Sequence, residues 1–102
     1  MIDKYILDAN GDPVECDDLI KWGKALENET ARCVDRTEKN GVLVSTVFLG
    51  IDHSFGNGEP LLFETMIFGG PHDQFTDRYT TRADAQAGHK RACAMCWGDD
   101  HD

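Results

Sequence analysis

An α+β domain, with an antiparallel sheet of three to five strands and two helices, is the fold this sequence predicts, and three observations predict it. Two runs, Val42–Ile51 and Leu61–Phe68, are dense in β-branched and aromatic residues and apolar on both faces, as strands inside a sheet are. Asn10-Gly11 and Asn40-Gly41 are tight-turn pairs, and hairpins give antiparallel neighbours. Two further segments carry apolar residues at helical spacing behind capping residues. The expected order is β(β)αβββα, with both helices laid against the sheet.

Taken in order, Tyr5–Leu7 is a short extended segment, the turn cluster Ala9-Asn10-Gly11-Asp12-Pro13 follows, and Val14–Cys16 returns as a second strand. Asp17 and Asp18 supply N-cap chemistry for a helix over Asp18–Asn28, whose stripe is Leu19, Trp22, Gly23 and Leu26. Gly23 weakens that helix by roughly 1 kcal/mol relative to alanine, so close approach of another element is expected there. Arg32–Glu38 sets Cys33, Asp35 and Thr37 against Val34 and Arg36, an edge strand with charge on both faces. A tight hairpin at Lys39-Asn40-Gly41 leads into Val42–Ile51. Asp52–Pro60 is a long hairpin loop before Leu61–Phe68, and Gly69–Asp77 is a second loop. Thr81 followed by Asp84 starts the last helix, which carries Ala85, His89, Ala92 and Cys96 at 4-3-4 spacing and stops at Gly98.

At 102 residues this is one domain, read as residues 1–98 with an acidic tail over 99–102. Ten Lys and Arg against 19 Asp and Glu give a formal charge of −9, which argues against binding nucleic acid through its phosphates. The longest apolar stretches, Val47–Ile51 and Leu61–Phe63, fall far short of the ~20 residues that span a bilayer. Met1-Ile2-Asp3-Lys4 has neither a basic nor an apolar leader segment, so a cytoplasmic setting with reduced Cys16, Cys33, Cys93 and Cys96 is expected.

The segments Lys4-Tyr5-Ile6-Leu7-Asp8, Val44-Ser45-Thr46-Val47-Phe48-Leu49-Gly50-Ile51-Asp52-His53, Pro60-Leu61-Leu62-Phe63-Glu64-Thr65-Met66-Ile67-Phe68-Gly69-Gly70, Arg78-Tyr79-x-Thr81 and Ala87-Gly88-His89 carry a resemblance. Over Lys4–His89 the chain resembles a family of small uncharacterised proteins found chiefly in bacteriophages and prophages. The resemblance implies an accessory protein working in the cytosol of an infected bacterium, and it implies no activity. The cysteine-bearing segment after His89 lies outside the pattern.

Three constellations are candidates for chemistry. His89, Cys93 and Cys96 share one helix face, with His101 downstream, and could meet a tetrahedral zinc ion; the favoured reading makes His89 and Cys96 the core stripe of that helix, with Cys93 beside it. A redox role for Cys93-x-x-Cys96 has less support, because a low-pKa thiolate sits at a helix N-terminus and these lie near the C-terminus. Asp52-His53 closes a central strand at a glycine-bearing loop. There His53 could gather with His72 and His89 around an ion, or Asp52 could cap the turn while His53 bonds the loop backbone. Glu64 lies inside an apolar run, where an unpaired buried carboxylate would cost several kcal/mol. Folding the Asp52–Pro60 loop brings it near Thr46–Phe48, so Ser45, Thr46, Glu64 and Thr65 are expected to form one mid-sheet polar patch. Glu64 then either faces water on an open sheet face suited to a partner, or is held by Arg32, Arg36, His53 or His89.

No phosphate-cradling glycine loop and no nucleophile elbow is present, so no enzyme is expected. The leading expectation is a non-enzymatic binder or inhibitor of a host or phage protein, with no cofactor. Asp12, Glu15, Asp17, Asp18, Glu27 and Glu29 would supply a negative face toward a basic surface, such as that of an anti-phage nuclease. The alternative is a small-ligand or zinc module built on Glu64, His53 and His89, or on the cysteine cluster. An anionic ligand would need Arg32, Arg36, Arg78 or Arg82 gathered in one pocket. A structural or assembly role, with an exposed sheet face or edge making a homodimer, is the third expectation.

Overall fold

The computed structural model describes residues 3–56 and 58–98, so the tail expected over 99–102, and His101 within it, lie outside the described residues. The elements run β1 (Tyr5–Leu7), β2 (Pro13–Glu15), α1 (Leu19–Leu26), α2 (Glu29–Arg32), β3 (Cys33–Lys39), β4 (Val42–Phe48), β5 (Phe63–Phe68), β6 (Thr76–Tyr79) and α3 (Arg82–Trp97). The fold is α+β. β1 and β2 form a two-stranded ribbon, and β3-β4-β5-β6 form an antiparallel sheet in sequence order, so every connection within it is a hairpin.

Local chemistry accounts for most boundaries. The β3–β4 turn is two residues long, with Asn40 and Gly41 both at positive φ (53° and 79°), the backbone that matches strand twist. Asp18 caps α1 by accepting from the Ile20 and Lys21 amides, and Thr81 caps α3 by accepting from the Asp84 amide. Gly98, at φ 81°, ends α3.

Four expectations need correction. The segment expected to be a loop to Asp77 gives way at Thr76 to β6, a four-residue edge strand that runs on to Tyr79 and whose charged pair Asp77-Arg78 hides its pattern. α2 is an additional single turn, capped by the Asn28 side chain accepting from the Ala31 amide. Only α3 covers the sheet, touching all four strands; α1 packs on β1 instead. The stripe of α1 is correspondingly thin: Leu19 is 63% exposed, and an alanine methyl at Gly23 would meet nothing, so no close approach compensates that glycine.

What anchors α1 is Gly50. Its carbonyl accepts from both the Trp22 indole and the Tyr5 amide at 2.9 Å. Its φ is 82°, and a Cβ there would strike Leu26, so both backbone and packing require glycine.

Alternation along the strands gives the sheet two unlike faces. On the covered face, Val44, Thr46 and Phe48 of β4 stand opposite Ile67, Thr65 and Phe63 of β5, all buried under α3. On the open face, Leu43, Ser45 and Val47 stand opposite Phe68, Met66 and Glu64. The apolar core is itself divided. Phe48, Leu62, Phe63, Tyr79 and Ala85 form one cluster, and Val44, Ile67 and Ala92 form the other.

Candidate functional site

Between the two apolar clusters lies a layer of polar side chains. Thr46 and Thr65 are cross-strand partners, and their hydroxyls are 2.6 Å apart. His89 descends from α3 onto them, its Nδ1 2.7 Å from the Thr46 hydroxyl and its Nε2 2.9 Å from the Thr37 hydroxyl. Thr46 and Thr65 are fully buried and His89 is 2% exposed. A bulge in β3 makes this meeting geometrically feasible. The register shifts between Cys33 and Asp35, leaving Val34 unpaired, and puts Asp35 and Thr37 on the covered side. The Asp35 carboxylate then lies 3.7 Å from His89 Nε2.

Electrostatics assign the proton. Burial pushes the His89 pKa below the usual histidine value, and Asp35 offsets this only in part, so the ring is held neutral. A neutral imidazole has one donor and one acceptor. With a carboxylate on the Nε2 side, Nε2–H donates toward Thr37 and Asp35, Nδ1 accepts from the Thr46 hydroxyl, and Thr46 accepts from Thr65. Every ring nitrogen is thereby satisfied. Beside the layer, Tyr79 packs its ring on Gly88, where any side chain would overlap it. Its buried hydroxyl makes no hydrogen bond among the described residues, and burial raises its pKa.

The Asp35–His89–Thr46 order resembles a nucleophile relay, but the hydroxyl at its end is sealed in the core, so it cannot meet a substrate. The layer is structural. It fixes the register of β3, β4 and β5 under one helix, because a slip by one residue would strand three hydroxyls and an imidazole.

The structure divides the expected mid-sheet patch between two faces. Thr46 and Thr65 belong to the buried layer, whereas Ser45 and Glu64 lie on the open face. Glu64 is paired, but by none of the four groups expected: Arg78 Nε donates to its Oε2 at 2.9 Å from the neighbouring β6. No strand is expected at Arg78 from its charged neighbourhood, so the sequence does not bring it beside Glu64. Asp52 caps its turn by accepting from the Ser54 and Leu61 amides at 2.7 and 3.0 Å. Burial works to raise its pKa, and those amides, with His53, hold it below the usual value. His53 donates from Nδ1 to the Ile51 carbonyl at 2.9 Å, a loop contact remote in kind from buried His89 and exposed His72.

Among the described residues the zinc cluster does not assemble. Both nitrogens of His89 are taken by threonines, and no group of three or more His, Cys, Asp or Glu is placed to hold a metal among the described residues. Burial, then Cys93, push the Cys96 thiol up, against thiolate chemistry. Cys93 and Cys96 instead pack with Trp97 against the Val44–Ile67 cluster, and the four cysteines form no disulfide.

What remains accessible is the open face. Leu43, Val47, Met66 and Phe68 make an apolar band there, flanked by Arg36 and Glu38 on one side and by the Glu64–Arg78 pair on the other. Phe68 is 44% exposed. No helix among the described residues is long and apolar enough to cross a membrane. No family model matches the chain, and neither a curated protein nor a solved structure matches it.

Proposed function

We propose that this is a non-enzymatic binding protein of phage type that docks the open face of its sheet on a host protein and inhibits or modulates it. The observation that carries the reading is the asymmetry of the sheet. α3 lies across one face, with Tyr5 and Leu7 of β1 packed beside it, whereas the other presents Leu43, Val47, Met66 and Phe68 between charged rims. An apolar centre with a polar rim is the anatomy of a protein interface. The formal charge of −9 favours a partner whose rim is basic and steers the encounter at low salt. The phage resemblance supplies the cellular setting, the cytosol of an infected bacterium.

A photo-crosslinking residue at Met66, compared with one at exposed Gln86 on α3, identifies the partner in infected-cell lysate. Binding is then measured with that partner purified. Phe68→Asp should weaken binding at least about tenfold without loss of thermal stability, because an interface anchor is worth more than 1 kcal/mol. Affinity should also fall as salt rises. Unchanged affinity in both Phe68→Asp and Met66→Asp sinks the proposal, as does light scattering that shows a second copy occupying this face.

A further inference from the structure

A second site lies where the open face meets the helices. Leu26, Glu29, Arg32, Cys33, Arg36, Ser45 and Val47 line a cavity of about 370 Å³. Arg32 also lines a neighbouring cavity of about 400 Å³, whose walls include Lys24, Asn28, Leu26 and Phe48. Two arginines, Arg32 and Arg36, are therefore gathered in one depression, on a molecule of formal charge −9.

Arg32 is held in advance. Its Nε donates to the Phe48 carbonyl at 3.1 Å and its Nη1 to the Leu26 carbonyl at 3.2 Å, so the guanidinium plane is fixed and Nη2 is left over. No carboxylate lies within ion-pair distance of it among the described residues. A half-buried cation held by neutral acceptors keeps its charge available, and its ordering cost is already met before a ligand arrives. Arg36 is tethered only loosely, 3.6 Å from Glu38, and can turn toward the cavity. Ser45 contributes a hydroxyl, and Leu26 and Val47 an apolar wall.

We infer that this cavity binds a small monoanion with an apolar stem, a carboxylate seated on Arg32 and Arg36 with its tail along Leu26 and Val47. The single charge follows from the surroundings. Glu29 lines the same cavity, and the negative field of the whole protein penalises every further charge on a ligand. The inference goes beyond the protein-binding reading and does not rest on it.

The test titrates octanoate, octanol and inorganic phosphate into the isotopically labelled protein and follows the amides of Cys33, Arg36, Ser45 and Val47. Octanoate should shift them saturably below about 20 mM, whereas octanol and phosphate should not, a contrast of at least about tenfold. Arg36→Gln should weaken octanoate about tenfold or more while leaving the remaining spectrum intact; Arg36 makes no main-chain tie like those of Arg32, so this variant folds. Val47→Asp, which sets a second carboxylate at the wall, should abolish binding. The proposal is overturned by no octanoate shift, by equal shifts from octanol or phosphate, or by unaltered affinity in Arg36→Gln.

Discussion

The two faces of the four-stranded sheet are made by the same strands, one residue out of step, and they solve opposite problems. On the covered face, polar groups appear only as a closed network: Thr37, His89, Thr46 and Thr65 satisfy one another between two apolar clusters. On the open face, charge is paired one to one within reach of water, closely between Arg78 and Glu64 and loosely between Arg36 and Glu38, and apolar side chains are left accessible. The same residue type therefore carries different weight by register alone. Thr65 is a structural necessity, and its neighbour Glu64 is an adjustable surface group. Polar residues inside a sheet thus mark function only when the face they occupy is known.

The sharpest way to break this contrast is His89→Ala. It opens a cavity and leaves buried hydroxyls without partners, so a loss of about 3 kcal/mol is expected. At about 4–8 °C per kcal/mol for a domain of this size, thermal denaturation should show a fall on the order of 10–20 °C. The pH dependence carries the same signature. His89 is neutral in the fold, with its pKa below the ordinary histidine value, whereas the unfolded chain protonates it near ~6.5. The unfolded state therefore binds more protons in that window, and stability is full above about pH 6.5 and falls as pH drops toward the folded pKa. Denaturant titrations from pH 8 to 5 should show that slope in the wild type and lose it in His89→Gln. A slope unaltered by the substitution would mean that the imidazole is not held neutral.

Two glycines on helices sharpen the comparison at an intermediate scale. Both substitutions to alanine improve helix propensity by about 1 kcal/mol. At Gly23 the new methyl meets nothing, so Gly23→Ala should stabilise by about that amount. At Gly88 it overlaps the Tyr79 ring, and overpacking of this kind costs typically 1–3 kcal/mol, so Gly88→Ala should destabilise on balance. Paired thermal melts with opposite signs are the expected outcome; equal signs would contradict the close contact of α3 with β6.

The smallest effect belongs to the open face. Glu64→Gln removes the ion pair with Arg78; Arg78 is 40% exposed and Glu64 14%, and a pair that water still reaches through the arginine is worth about 1 kcal/mol, less at high salt. A loss above about 2 kcal/mol would mean that the pair is sealed from water and that the face is covered rather than open.

Much of this was legible in the residues. The tight turn at Asn40-Gly41, the caps Asp18 and Thr81, the stop at Gly98 and the central position of the Val42 and Leu61 runs all follow from local chemistry. The buried layer was legible in part. Thr46 and Thr65 are visible as polar residues in apolar strands, but proximity in sequence groups them with Ser45 and Glu64, which alternation places on the opposite face. The strand β6 escaped because Asp77 and Arg78 carry no apolar period, and with it went the true partner of Glu64.

The amino-acid sequence alone determined the N-terminal ribbon, the two central strands and the two longer helices, because turn geometry, capping and period act over a few neighbouring residues; it did not reach α2 or β6. Only the tertiary structure decided which polar side chains meet. The β3 bulge, the Thr46–Thr65 register and the descent of His89 onto them join residues up to 52 positions apart. Such contacts depend on angstrom-scale placement of whole elements, and no short-range pattern encodes that distance.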